Sequence, residues 1–572
     1  MSSSPLAALT AAGFRRGELL ALAIGPGGEL GLAWTSGSWA GELDPAALAA
    51  VEAELRPRWT CWSVDPLREL VRRDLRVATC WELAAVHRLL FGGWRADPAL
   101  SWAALHDLPA SGLPESGQLD LLGPAGDEGV DPEQPVRPDG YLRPEWTAGG
   151  WAANPDRLTR WAALALAGAE LQQQRLATLK VLGNAPATAR SESTAELLGA
   201  ELGEDGLPVN LATAEQLIGS IIGPRPATAA EAAAQRERRD REVLSLVSGD
   251  YDLRSPGSVK ALLARIGIEV PDTRSWRLEA FREVHPAVAA LLAWRKAERI
   301  ATTYGYDWLD RHVGPDGRLR GQWTGSDGAA GRMTASAGLH NLPAELRPAV
   351  AADPGWVLVR ADLGQIEPRV LAAVSRDREL ARASADADLY APVAERLGVP
   401  RPTAKVAVLA AMYGGTSGNA AAALQGLDAA YPVAMRYLRQ AYDAGRAGRS
   451  VRTYGGRLVR MWATPDGLSF EEERANSAAR GRFARNAVIQ GAAAELFKVW
   501  AVTIRARATA LDARVVLCLH DEVLVHAPEP VAAEAQRLVA DCLIEAVRRW
   551  APDDAVHFVA DLSVVKRWSE AK

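Results

Sequence analysis

Cysteine is scarce in this 572-residue chain. Its four cysteines, Cys61, Cys80, Cys518 and Cys542, include no close pair, which excludes a disulfide framework or a paired-cysteine zinc site as the expectation. Lysine is scarcer still against its partner in charge: 65 basic residues include only seven lysines. An isolated arginine therefore says little, and a lysine inside a motif says more. No apolar run approaches the roughly 18 residues that span a bilayer. The best candidate, residues 19–34, is broken by Gly25, Pro26, Gly27, Gly28 and Glu29. The start, Met-Ser-Ser-Ser-Pro, lacks the basic flank of a secretory signal. A cytoplasmic, enzyme-sized protein without a membrane partner is the expectation.

With 48% hydrophobic and 24% charged residues the chain is neither disordered nor fibrous, and its length suggests roughly four units. The net charge of −5 points away from nucleic acid, but its distribution does not. Residues 1–150 carry 12 arginines and no lysine against 20 acids, so the remainder is slightly basic. Positions 436–485 hold 11 arginines and five acids, a local basic stripe of the kind that meets phosphates. Residues 1–172 read as a small α/β domain. Strands are expected at Leu19–Ile24, Glu29–Trp34 and Arg58–Val64, and helices at Pro45–Leu55, Pro66–Arg73 and Trp81–Leu90. A loop over 106–148 and a helix over about 155–182 follow. The stretch 186–300 is helical in pattern, with Ala229–Val247 and Ala287–Thr303 its clearest helices.

Chemistry concentrates beyond residue 318. The β-rich run from Trp356 ends in Asp362, followed by Leu363, Gly364, Gln365, Ile366, Glu367, Pro368 and Arg369. Downstream, the apolar stretch to Leu519 meets His520-Asp521-Glu522 and a second apolar run, which places Asp521 at a hairpin tip. If the two strands lie side by side, two carboxylates face one another and need cations between them; paired Mg²⁺ ions about 3.5–4 Å apart are the usual solution. Either aspartate alone reads better as a turn residue. Between them, Arg401, Lys405, Leu409 and Tyr413 recur every fourth residue on one helix face, with Pro402 in the first turn. Two cations beside a positive helix terminus repel unless a polyphosphate binds them together. Arg482, Asn486 and Gln490 form a similar row of donors, and Gly331-Arg332 and His340-Asn341 lie in a polar lead-in to the first carboxylate.

Taken together these segments resemble the family A DNA polymerases. Asp362 to Arg369 resembles motif A, Arg401 to Gly414 motif B, and Leu519 to Glu522 motif C, over a stretch from about 186 to the C-terminus. The resemblance implies a right-hand polymerase over 173–572: thumb about 173–300, palm about 318–372 and 484–572, fingers about 373–483. It implies that Asp362 and Asp521, with the backbone of Leu363, hold two Mg²⁺ ions (Mn²⁺ able to substitute), with Glu522 a catalytic neighbour. Arg401 and Lys405 would grip a deoxynucleoside triphosphate, with Leu409, Tyr413 and Gln365 around it and Glu367 excluding a ribose 2′-hydroxyl. Primer–template DNA would be contacted by Arg332, Asn341, Arg369, Arg482, Asn486, Gln490 and His520, and by Arg295 and Arg299 on the helical segment. Leu409 stands where the family has an aromatic, Gly364 and Pro368 replace a serine and a leucine, and Tyr390 replaces a phosphate-binding histidine.

The same resemblance makes residues 1–172 a ribonuclease-H-like 3′–5′ exonuclease domain, with no 5′-nuclease domain before it. Its chemistry needs an Asp-x-Glu pair on the first strand, and residues 1–60 contain none. The chain is expected to begin near the family's second strand, so that the pair has no strand to sit on. Asp65 is the one remnant ligand, better read as a cap before Pro66, and the last acidic motif is reduced to a helix from Trp161 to Glu170. Synthesis without proofreading, in replication or repair, by a monomer associated with the bacterial nucleoid, is what the resemblance leads one to expect. The rivals are a polymerase with working proofreading, a single-subunit RNA polymerase, and a non-catalytic DNA-binding protein.

Overall fold

The computed structural model describes residues 4–114, 131–414, 420–552 and 555–571, so part of the expected 106–148 loop lies outside the described residues. The chain divides into two units: residues 1–205, 322–334 and 359–564 form one, and 206–321, 335–358 and 565–572 the other.

In the first unit the front of the chain builds a five-stranded mixed sheet. Its strands are β1 (Leu19–Ile24), β2 (Glu29–Trp34), β3 (Gly37–Glu42), β4 (Arg58–Cys61) and β5 (Thr79–Glu82), in the order β3-β2-β1-β4-β5. β1, β2 and β3 form an antiparallel meander, while β4 and β5 run parallel beyond β1. β1 lies at the centre of the sheet. Its inward residues are simply apolar or small, Ala21 and Ala23 among them. β3 escapes a periodicity reading because Gly37, Ser38, Ala40 and Gly41 give an edge strand no alternating apolar face. The helix expected from Trp81 begins instead at Leu83. Trp81 and Glu82 belong to β5, where they pair with Thr60 and Cys61, and the Glu82 side chain caps the helix at Ala85 N–H.

The helix Pro155–Thr178 packs on β1 and β2. Gly31 permits this approach: a Cβ there would come within 2.8 Å of the Leu158 backbone. The boundary expected at residue 172 falls inside this helix. The next helix, Ala185–Asp205, is buried along most of its length and packs on β5, on the strand Trp323–Asp327 and on the long helix Phe470–Ala508. It belongs to the first unit, and the largely helical unit starts at Gly206 rather than near 173.

Behind the front sheet, a four-stranded sheet is ordered Arg514–Leu519, Glu522–Pro528, Trp356–Gly364, Val559–Val565. The 39-residue helix Phe470–Ala508 opens on a reciprocal cap between Ser469 and Glu472. It is long and apolar enough to cross a bilayer, which corrects the expectation that no such stretch exists. Yet 89% of its apolar window is buried inside protein, as in the core helix of a globular fold. Its buried charges are matched: Lys498 donates to Gly331 O at 2.6 Å and pairs with Glu192 at 2.5 Å, and Arg457 pairs with the same carboxylate.

The second unit contains the helices Leu211–Ile222, Ala229–Leu244, Pro256–Arg265, Pro286–Thr303 and Tyr306–His312. Val243, Leu262, Leu263, Val288 and Leu291 lie in its core, and Leu207–Pro208 pairs with Arg318–Leu319.

Candidate active site

Alternation along the strand Trp356–Gly364 puts Arg360 and Asp362 on one face, because successive side chains of a strand point to opposite sides. The adjacent hairpin turns through His520 and Asp521, with Leu519 paired to Glu522. The Leu363 N–H donates to the Asp521 carbonyl at 2.9 Å, fixing the hairpin tip beside the end of the strand. His520 (φ 56°) and Gln365 (φ 53°) both adopt left-handed backbone, uncommon for such residues. One precedes Asp521 and the other follows Asp362 at the start of the helix Ile366–Ser375; non-glycine residues held this way cluster at functional sites.

The two aspartates therefore meet, as the sequence leads one to expect. Burial and the Asp521 carboxylate push Asp362 up to about 6, opposed by Arg360. Burial also raises Asp521, with Glu522 and Glu367 adding to the effect. Carboxylates that destabilise one another's charge favour a cation between them. Among the described residues no group of three or more His, Cys, Asp or Glu side chains is arranged to hold a single ion. This donor set suits Mg²⁺, which commonly takes one or two carboxylates and completes its shell from water and phosphate oxygens.

Arg360 was not anticipated, although the alternation that places Asp362 also places a residue two positions earlier. Its guanidinium bonds to Asp362 at 2.7 Å, Glu522 at 3.1 Å and Asp561 at 3.1 Å. Asp561, on the strand Val559–Val565, has no motif to mark it.

The helix Arg401–Tyr413 has Pro402 in its first turn and ends on Gly414 in left-handed backbone. Arg401 and Lys405 are exposed and Leu409 is half-buried. Arg401 grips Asp388 with two donors and holds that carboxyl below its ordinary range, and it lies 5.8 Å above the Tyr390 ring. Asp388 is a second residue that the motif reading passed over. At the other end, the Tyr413 hydroxyl donates to Glu367 and also bonds Gln490. Burial and the Glu367 carboxylate push that phenol up to about 12. Glu367 also pairs with Arg332 at 3.1 Å. Asn486, its amide nitrogen facing the neighbouring helix, donates to Met412 O at 2.7 Å and to Arg482 O at 3.2 Å. Arg482 is exposed, and its chain lies against the end of the helix at Gly414. His520 is exposed at the hairpin tip, and partial desolvation with the nearby Arg332 charge lowers its pKa.

Two expectations change. Arg369 is fully buried, and its guanidinium donates to the carbonyls of Gly364, Ser384, Asp386, Ala387 and His557. With its donors spent on backbone it cannot serve as a DNA contact. Gln365 is likewise engaged within the protein. Its amide nitrogen donates to Asp388 at 2.7 Å and its oxygen accepts from Leu389 N–H at 2.8 Å, so it braces the segment that presents Arg401.

Three further expected DNA contacts lie in the second unit. Arg299 donates to the carbonyl of exposed Asn341 at 2.5 Å and lies 5.6 Å above the Tyr304 ring. Arg295 is half-buried and donates to Thr273 O. Asp65 is not the cap expected of it. It is the first residue of the helix Asp65–Arg72, 71% exposed, accepting from Ser63 at 2.8 Å and Arg68 at 2.6 Å.

A family model described as DNA polymerase family A matches residues 227–570. DNA polymerase I of Chloroflexus aurantiacus is 32% identical over 327 residues, 51% of this chain and 33% of that protein. The thermostable DNA polymerase I of Thermus filiformis is 30% identical over 382 residues, 60% of this chain and 44% of that protein. The chain thus spans well under two thirds of the length of these relatives. A solved structure, the POL domain of Pol1 from M. smegmatis in complex with DNA primer-template and dNTP, superposes with a TM-score of 0.69 at 22% identity. It covers 100% of this chain and 99% of that one, and shows a shared fold.

Proposed function

The chain belongs to DNA polymerase family A, and from that premise we propose that it is a template-directed DNA polymerase working in replication or repair. It extends a primer 3′-hydroxyl with deoxynucleoside triphosphates. The observation that carries this reading is the meeting of Asp362 and Asp521 across the Leu363–Asp521 backbone bond. Asp362, Asp521 and the backbone of Leu363 would hold two Mg²⁺ ions, with Mn²⁺ able to replace them. When bound, such ions activate the attacking hydroxyl and neutralise the leaving pyrophosphate.

The chain's own residues position and discriminate. Arg401 and Lys405 stand at a helix N-terminus, where backbone N–H groups and two cations favour a triphosphate. The Arg401–Asp388 pair is largely exposed and screened by water, so a phosphate can draw the arginine away at little cost. Glu367, held between Arg332 and the Tyr413 hydroxyl, is rigidly placed to exclude a 2′-hydroxyl. Arg332, Arg482, Asn486, Gln490 and His520 line the surroundings of that carboxylate and helix, and we assign them to primer, template or nascent-pair contacts. Asn486 and Gln490 act partly by holding the helix that carries Tyr413.

In this reading residues 373–483 are fingers, the four-stranded sheet is the palm floor, and the second unit supplies the thumb. The front sheet, mixed and flanked by helices, supports descent from a ribonuclease-H-like exonuclease. Asp65 is exposed and paired with Arg68, and β1 carries no acid, so one carboxylate remains where two cations would need several. The domain is a structural remnant.

Primer extension with Mg²⁺ tests the assignment. The wild type should extend a primed template with deoxynucleotides, and Asp521→Ala should abolish extension while duplex binding persists. Comparable extension by Asp521→Ala would remove the metal assignment.

A further inference from the structure

The acidic floor of the site already contains a cation of its own. Arg360 lies on the strand between two neighbours, with Glu522 on one flanking strand and Asp561 on the other, and it shares a face with Asp362. Its Nη2 bonds Asp362 at 2.7 Å, its Nε bonds Glu522 at 3.1 Å and its Nη1 bonds Asp561 at 3.1 Å. All three guanidinium nitrogens are thus committed to carboxylates, and the side chain is only 13% exposed. Asp561, at 68% exposure, is the arm most open to solvent, while Glu522 is buried and Asp362 half-buried.

We propose that Arg360 is a built-in counter-ion that competes with divalent cations for Asp362 and Glu522, and so sets the metal concentration at which the site assembles. The inference rests on the two-aspartate metal reading above. Without ions, Asp362, Asp521, Glu522 and Asp561 would bring four like charges together; the guanidinium offsets one and satisfies three acceptors with fixed geometry. A divalent ion reaching Asp362 must share that carboxylate with a cation or displace it. In either case it meets a positive charge a few ångströms away in a partly dry site, where such repulsion is poorly screened. A bridge that merely held Asp362 in shape would act the other way: its loss would misplace a ligand and weaken metal binding. The sign of the effect separates the two roles.

The test is direct binding of Mn²⁺ to the full chain, read from the free-ion signal in electron paramagnetic resonance, with neither DNA nor nucleotide present. Arg360→Met, which keeps the volume and removes the charge, should bind Mn²⁺ about tenfold more tightly, the scale expected when one nearby charge is removed. It should also melt at a lower temperature in EDTA and recover more on adding Mn²⁺ than the wild type does. Arg360→Lys, which keeps the charge, should bind close to the wild type. Arg360→Gln offers a second neutral variant if the methionine impairs folding. Unchanged or weaker binding by the neutral variants would overturn the proposal. Asp521→Asn tells the two readings apart. If wild-type Mn²⁺ binding does not depend on Asp521, the metal reading falls and this inference with it; if it does, but the neutral variants bind no tighter, only the role of Arg360 falls.

Discussion

Arg369 shows what burial does to a residue whose type and place in motif A suggest a phosphate contact. Its five donors satisfy five backbone carbonyls from a fully buried side chain, and Arg369→Ala would take the partner from all five together. The expected loss is about 3 kcal/mol or more in urea unfolding, since each unsatisfied buried group costs on the order of 1–3 kcal/mol. A loss below about 1 kcal/mol would return Arg369 to the surface reading. Glu367 makes the opposite case, its carboxylate held at the site between Arg332 and the Tyr413 hydroxyl. Glu367→Ala should raise ribonucleotide incorporation relative to deoxynucleotides, measured as a ratio of extension rates; an unchanged ratio would remove the sugar gate. The raised carboxyl of Asp362 carries a sign of its own. Its ordinary value is 3.8 and its folded value about 6, so between them the native state holds a proton that the unfolded chain has released. The metal-free wild type should therefore lose stability relative to Asp362→Asn as pH rises from about 4 to about 6. Melting of both in EDTA across that range checks it, and a relative rise over the same interval would contradict the shift.

At the scale of elements, helices with strong periodicity were legible almost to the residue. Ala229–Leu244 and Pro286–Thr303 match the expected spans within a few positions, as do β1 and β2. β3 and β5 were not legible: an edge strand of small residues has no alternating face, and β5 exists because it has β4 to pair with. The long helix Phe470–Ala508 is stapled by charges rather than by apolar packing alone. Lys498 and Glu192 are 1% and 0% exposed, and burial draws the lysine down to about 8. Lys498→Ala should cost about 3–5 kcal/mol, because it leaves Glu192 buried with one cation fewer. Denaturant unfolding measures this, and a loss within about 0.5 kcal/mol would mean that the network contributes nothing net.

At the scale of the whole molecule, the front sheet shares one unit with Asp362 and Asp521, and its central strand β1 carries no acid. The wild type should leave single-stranded DNA intact in the absence of nucleotides, and Asp65→Asn should change neither that result nor primer extension. Mg²⁺-dependent shortening of the strand would revive the proofreading alternative.

The order of the three motifs, the shared helix face of Arg401, Lys405 and Tyr413, and the hairpin that carries Asp521 were all readable along the chain. Each depends on local periodicity and turn chemistry, which act over a few residues. Tertiary structure alone decided that Arg369 faces inward, that Gln365 braces Asp388, and that Arg360 intrudes among the acids. Periodicity says which face a side chain takes, whereas the partner on that face comes from elements far along the chain, 201 positions away for Arg360 and Asp561. Packing brings those elements together, and no short-range pattern records it.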